Sequence, residues 1–252
     1  MTTSSGTAGA DVPGYDGMGE FHDLFMDEPH WRLRPALEAA FGDLDPDEIV
    51  LDLGAGSGLG VRQLAQATRA RIIAVEPSLT MRAVLLARVA DDPTLTDRVS
   101  VHAGAVPEVF EQLPHRAAGF VCAHMLGHLS PADRAQTFAA LADRITPTGV
   151  GVVTVNGTTA APTEPATEER RIGEHRYVAR YLPPGTDGEA DSDYEVYDTD
   201  GRLLRTARFA ADWTTITADL LRAELAPGGW RLTPREEAPT VLLMTRGFEG
   251  EQ

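Results

Sequence analysis

Residues 50–60 read "VLDLGAGSGLG". An apolar run carries one acid, Asp52, and stops at Gly54, Gly56, Gly58 and Gly60. The run has the character of a buried strand. From Gly58 to Arg69 the apolar positions Val61, Leu64, Ala65 and Thr68 fall on one face of a helix. Strand, glycine turn and helix therefore follow one another. Glycine reaches positive φ without steric cost and lets a ligand approach the main chain, so this turn is read as a binding site.

Working outward, the same alternation continues. "RIIAVEP" reads as a second strand, and Ser78 is placed to cap the helix "LTMRAVLLARVA". "VSVHAG" is a third strand, "VPEVFEQL" a short helix and "GFVCAHM" a fourth strand. Ser130, Pro131 and Asp133 open a further helix, and "GVGVVTVN" is a fifth strand. Upstream, Leu33, Leu37 and Phe41 mark one or two amphipathic helices. Strands separated by helices predict a parallel sheet covered on both faces, with ligands beyond the carboxyl ends of its strands. After strand five the pattern changes. "GTTAAPTEPATEERRIGEH" reads as a loop, lid or linker. "HRYVARYL", "DYEVYD" and "RLLRTARFA" alternate as strands, the last two joined by the hairpin signal "TDGR". "TITADLLRAEL" is a helix, "GGW" a turn and "TVLLMTR" a final strand. The expected division is a disordered tail at 1–12, a cofactor-binding part at 13–156, a substrate cap at 157–212 and a closing helix with strands at 213–252.

Composition removes several chemistries. The net charge of −16 argues against nucleic acid and against anionic membrane surfaces. No apolar run reaches the length of a membrane span, and the N-terminus lacks the basic and apolar regions of a secretory signal. The single cysteine, Cys122, permits no internal disulfide and no thiolate cluster for zinc; it reads as a buried apolar residue. No metal site is expected. All 22 basic side chains are arginine, so a lysine Schiff base, a Walker-type phosphate loop and a tyrosine–lysine dyad are all excluded.

The glycine turn admits two ligand classes. A dinucleotide site needs G-x-G-x-x-G. Counted from Gly54 the sixth residue is Leu59, and from Gly56 it is Val61, so the fingerprint fails. Glu76 ends the second strand at the spacing of a ribose-binding acid, where a carboxylate accepts from both hydroxyls. The turn and the acid together specify a ribose-containing ligand across the first two strands.

"VLDLGAGSG" followed by "AVEPS" resembles the class I S-adenosylmethionine-dependent methyltransferases, over roughly residues 45–156. The resemblance implies a Rossmann-like, doubly wound, mostly parallel seven-stranded α/β sheet with a last antiparallel strand and an antiparallel insertion after strand five. It implies that Gly54, Ala55, Gly56 and Gly58 pass under the methionyl part of the cofactor. Asp52 would help to hold its amino end, Glu76 its ribose, and Pro77, Ser78 and Met81 would border the adenine. The acid often found after strand three is replaced here by Gly104, Ala105 and Val106, leaving main-chain contacts or Glu108 for the adenine. The insertion resembles the sugar and glycine N-methyltransferase branch.

His124 and His128, in "HMLGHLSP", are candidates to accept a proton from the nucleophile or to align it. Tyr15, in "YDGMGEF", resembles the aromatic that such enzymes fold over the sulfonium, and Phe21, His22 and Asp23 resemble the residues that follow it. Arg170, Arg171, Arg176 and Arg180 offer a phosphate or carboxylate site, or a salt-bridged face with Glu168, Glu169 and Glu174. Trp213 and Trp230 read as core or interface rather than substrate platforms. The expectation is a cytoplasmic methyltransferase acting on nitrogen or oxygen of a small molecule in secondary metabolism such as antibiotic biosynthesis, with a homodimer formed through the insertion's strand edges. The competing readings are a non-methylating reaction such as cyclisation, a NAD-type oxidoreductase, and a non-catalytic scaffold.

Overall fold

The computed structural model of the chain describes residues 15, 17–156, 165–182, 190–211 and 214–247. The tail at 1–12, Asp16, the start of the Pro/Thr-rich stretch at 157–164, and Trp213 lie outside the described residues. Two helices, α1 (His22–Trp31) and α2 (Arg34–Phe41), lead into β1 (Ile49–Leu53) and α3 (Leu59–Ala67). Then come β2 (Arg71–Glu76), α4 (Leu79–Asp91), α5 (Pro93–Thr96), β3 (Val99–Ala103) and β4 (Ala117–Cys122). The first half closes with α6 (Pro131–Arg144) and β5 (Ile145–Thr154). The remainder is β6 (Ala166–Ile172), β7 (His175–Tyr181), β8 (Ala190–Tyr197), β9 (Leu203–Ala211), α7 (Ala218–Leu225), β10 (Trp230–Arg235) and β11 (Ala238–Arg246).

The main sheet has seven strands in the order β10-β11-β5-β4-β1-β2-β3. β1 to β5 pair in parallel, and β11 runs antiparallel to both β5 and β10. Strand order reverses between β1 and β4, so the loops leaving these two strands face one crevice, where open α/β sheets hold ligands. One face of the sheet is covered by Leu37 and Phe41 of α2, Val61 and Leu64 of α3 and Leu85 of α4. The other is covered by Phe110, by Phe138 and Leu141 of α6 and by Leu221 and Leu225 of α7. Trp230 and Cys122 belong to this second core, and burial raises the Cys122 thiol pKa, which makes it inert. Arg134, 1% exposed, crosses from α6 to Glu224 of α7 through paired bonds of 2.8 and 2.6 Å.

β6 to β9 form a separate antiparallel meander. Its inner face places Ala179, Tyr194 and Val196 on Met18, Phe21 and Phe25 at the start of the chain. Phe21 is 2% exposed, a burial that contributes about 1.5–3 kcal/mol. Several boundaries differ from the sequence reading. Residues 166–172 are not loop but the strand β6, whose charged residues are tolerated because most of the strand is exposed. β4 ends at Cys122, so Ala123, His124 and Met125 lie beyond the strand. Trp230 opens a strand, β10, rather than closing a turn. The segment "VPEVFEQL" is a 3-10 turn at Glu108–Gln112.

Candidate active site

The turn after β1 is fixed from beneath. The N–H groups of Gly54 and Ala55 both donate to the Val75 carbonyl at 2.9 Å, tying the loop to β2. Gly56 has φ +55°, and its N–H donates to Glu76 Oε2 at 2.8 Å. The Ser78 N–H donates to Oε1 of the same carboxylate at 2.8 Å. Each Glu76 oxygen is thus held by main chain and keeps further acceptor capacity. Burial raises the Glu76 pKa, while these two N–H groups pull it down. Gly58 is required on two grounds: φ is +87°, and an added Cβ would lie 2.6 Å from Leu85 Cδ1.

Above this turn opens a cavity of about 420 Å³. Gly54, Ala55, Gly56, Glu76, Pro77, Met81, Gly104 and Ala105 line it, and so do Tyr15, His124 and His128. Asp52, Gly58 and Ser78 do not. Gly58 precedes the first turn of α3, and the Ser78 hydroxyl caps α4 by accepting from the Met81 N–H. Asp52 is buried beneath the loop, its Oδ2 3.6 Å from where a Cβ on Gly60 would stand. Among the described residues that oxygen has no hydrogen-bond partner, and burial, then the nearby Glu76 charge, pushes the Asp52 pKa up to about 7. Glu108 is exposed and outside the cavity lining, whereas Val106 lies within it.

The three candidates for the reacting end meet in this cavity but differ in setting. The Tyr15 hydroxyl and His128 Nε2 stand 2.8 Å apart, although 113 residues separate them in sequence. Burial brings the His128 pKa down to about 4. Burial, Glu76 and Tyr194 raise that of Tyr15, so both side chains are neutral at pH 7. His124 follows the end of β4 with φ 54°, a left-handed conformation rare outside glycine and often found at functional sites. Its N–H donates to Thr154 Oγ1 at 2.7 Å, while Nε2 has no partner among the described residues. Burial, reinforced by His30 and His22, brings its pKa down to about 4.

His22, named in the sequence reading, is joined by Phe25, Met26 and His30, which were not, in a stripe along α1 that faces the cavity. Their helical spacing was the signal, but it fits core as well as site. His30 Nδ1 donates to the Met26 carbonyl at 2.7 Å, leaving Nε2 as the acceptor nitrogen. Beside this stripe, Asp23 accepts from Ser57 and Arg88, and Arg88 also donates to the Ser57 carbonyl. Burial works to raise the Asp23 pKa, but hydrogen bonds from His22, Ser57 and Arg88 outweigh it and hold the carboxyl below the ordinary range. The cluster pins α1 across the glycine loop onto α4. Tyr181, Ser192, Tyr194 and Phe209 of the antiparallel sheet complete the cavity wall. Of the arginines offered for an anion site, Arg170 pairs with Glu168, Arg176 with Glu169 and Arg180 with Glu195, and none of the four lines the cavity. Among the described residues no group of three His, Cys, Asp or Glu side chains is placed to hold a metal ion.

These features fit an adenosyl amino acid. A Cβ on Gly56 would meet only the His22 ring, at 3.9 Å, so the space over the loop is clear. Glu76 offers acceptors for a pair of ribose hydroxyls.

Comparison with known proteins agrees. Residues 50–149 match the family model described as "Methyltransferase domain". No curated protein sequence matches. Among solved structures, DesVI of Streptomyces venezuelae aligns with a TM-score of 0.68 at 15% identity, covering 93% of this chain and 97% of that one. CalS10, an amino pentose methyltransferase from Micromonospora echinaspora involved in calicheamicin biosynthesis, aligns with S-adenosylmethionine bound at 0.67 and 17% identity, over 92% and 94%. The sugar N-methyltransferase KedS8 from a Streptoalloteichus species aligns at 0.64 and 17%, over 98% and 99%. At these identities the structures attest the fold, while the family match covers β1 into β5, the part of the chain that carries the glycine loop and Glu76. The segment that carries the glycine loop and Glu76 thus matches a methyltransferase domain on a fold shared with solved methyltransferases, and S-adenosylmethionine is the cofactor these findings support.

Proposed function

We propose that the chain methylates a nitrogen or oxygen of a small molecule in secondary metabolism. The observation that carries this reading is the Tyr15–His128 pair, 2.8 Å apart, in the same cavity as the glycine loop and Glu76. The acceptor classes named for CalS10 and KedS8, an amino pentose and a sugar nitrogen, favour nitrogen.

The bound cofactor supplies a methyl group already activated by the sulfonium charge. The protein's tasks are then to align the nucleophile and exclude water. Glu76 and the Gly54–Gly56 main chain hold the ribose end, and α1 with the antiparallel sheet covers the cavity. With Tyr15 donating to neutral His128, the phenol oxygen keeps lone pairs free to accept from the acceptor's N–H or O–H and align it on the methyl group; the proton of the alkylated nitrogen leaves to solvent. An imidazole with a pKa near 4 does not deprotonate an ammonium ion at rest, so an amine acceptor enters as the free base.

The test is incubation with S-adenosylmethionine and a panel of amines and phenols, followed by mass spectrometry. S-adenosylhomocysteine should accumulate in step with methylated product. Product without S-adenosylhomocysteine would identify a non-methylating reaction instead.

A further inference from the structure

The two sides of the cavity differ in chemistry. Opposite the glycine loop the wall is aromatic. Phe209 meets Tyr15 edge-on with centroids 5.2 Å apart, and Tyr194 lies 5.1 Å from Phe21 and 5.9 Å from Phe25. Tyr181 and Ser192 stand beside them. The lining contains one carboxylate, Glu76, and among the described residues no arginine. The sequence has no lysine, and the stretches 1–14, 157–164, 183–189 and 212–213 contain no arginine either, so none of them can supply a cationic side chain. Arg170, Arg176, Arg180 and Arg205 of the antiparallel sheet pair with Glu168, Glu169, Glu195 and Glu20, none of which lines the cavity, although the Arg170 guanidinium stands 5.7 Å over the Phe25 ring. An anion entering beside this wall would lose its hydration and meet no lysine or arginine in the lining, while buried His124 and His128 stay neutral, which is unfavourable. An aromatic body would gain from apolar burial and ring contacts.

Resting on the reading of this cavity as the joint cofactor and acceptor site, we infer that the part of the acceptor that enters is an uncharged aromatic amine or phenol bearing no phosphate or sulfonate. Nucleotide-linked sugars are thereby excluded unless their diphosphate stays in solvent.

N-phenyl-1-naphthylamine and 1-anilinonaphthalene-8-sulfonate share one ring system and differ by a sulfonate. Both are titrated by fluorescence into protein saturated with S-adenosylhomocysteine. The neutral probe should bind at least tenfold more tightly. Phe209→Arg places a guanidinium in the wall and should reverse the order, with S-adenosylhomocysteine affinity by calorimetry unchanged within threefold. Should that variant fail to fold, Tyr181→Arg tests the same wall. The inference is overturned if the neutral probe does not bind, if the two probes bind wild-type protein equally, or if thymidine diphosphate displaces the neutral probe. Wild-type protein that binds no S-adenosylhomocysteine defeats the reading of the cavity itself; protein that binds it yet prefers the sulfonate defeats only the acceptor class.

Discussion

Asp52 and His128 carry opposite titration shifts from one cause, burial of the charged form. For Asp52 the folded pKa of about 7 lies above the ordinary 3.8. Between these values the unfolded chain has released a proton that the native protein retains. Stability contributed by this group is therefore full below pH 4 and is lost as pH rises toward 7. Asp52→Asn removes that slope: in urea unfolding, the loss of stability between pH 5 and 7.5 should be smaller by about 2 kcal/mol than in the wild type. An identical slope in both proteins would contradict the assignment. For His128, NMR should show ring resonances titrating near pH 4 and unmoved from pH 5.5 to 8, with His128→Gln identifying the signals. A midpoint near 6.5 would contradict it. Tyr15→Phe removes the hydroxyl that aligns the nucleophile and should lower kcat by about 10²-fold with cofactor affinity within threefold. Glu76 and the glycines were legible because their spacing follows from a single βαβ unit. The Tyr15–His128 pair was legible only as two separate candidates, since nothing local links residues 113 apart.

At the scale of elements, α1 is the least self-sufficient part of the site. Its first residue, His22, lines the cavity, and its hold on the loop runs through Asp23, Ser57 and Arg88. Arg88→Ala removes the cation and leaves the partly buried Asp23 carboxylate without it. Hydrogen exchange along 22–31 should accelerate and cofactor affinity fall by about tenfold. Unchanged exchange would show that packing of Phe21 and Phe25 alone holds the helix. In sequence Arg88 reads as an ordinary basic residue near the end of α4, and only the fold brings it to Asp23, 65 positions earlier. The strand β6 was missed for a related reason. Its charged side chains hide the period-two pattern, and its pairing with β7 supplies the order that local propensity does not.

For the whole molecule, the alternation of strands and helices dictated the parallel sheet, and the reversal at β1 and β4 dictated where the crevice lies. A substrate cap at 157–212 was expected, but the residues on which the antiparallel sheet docks were not legible, because alternation marks two faces without saying what covers them. Its docking onto Met18, Phe21 and Phe25 turns an open crevice into a covered cavity. The carboxyl-terminal part is joined to the core by the buried Arg134–Glu224 pair. Glu224→Ala should cost about 3–5 kcal/mol by leaving a guanidinium buried without its partner, read as a lower Tm, and Glu224→Gln should recover part of it. An unchanged Tm would place that pair at the solvent edge.

The central claim is that Glu76, anchored by the Gly56 and Ser78 N–H groups, holds the cofactor's ribose beside the glycine loop. Calorimetric titration of S-adenosylmethionine into wild-type protein and Glu76→Ala tests it directly. The account predicts binding by the wild type and a loss of about 10²-fold or more in the variant, or about 2.7 kcal/mol; equal affinity in the two proteins would contradict it.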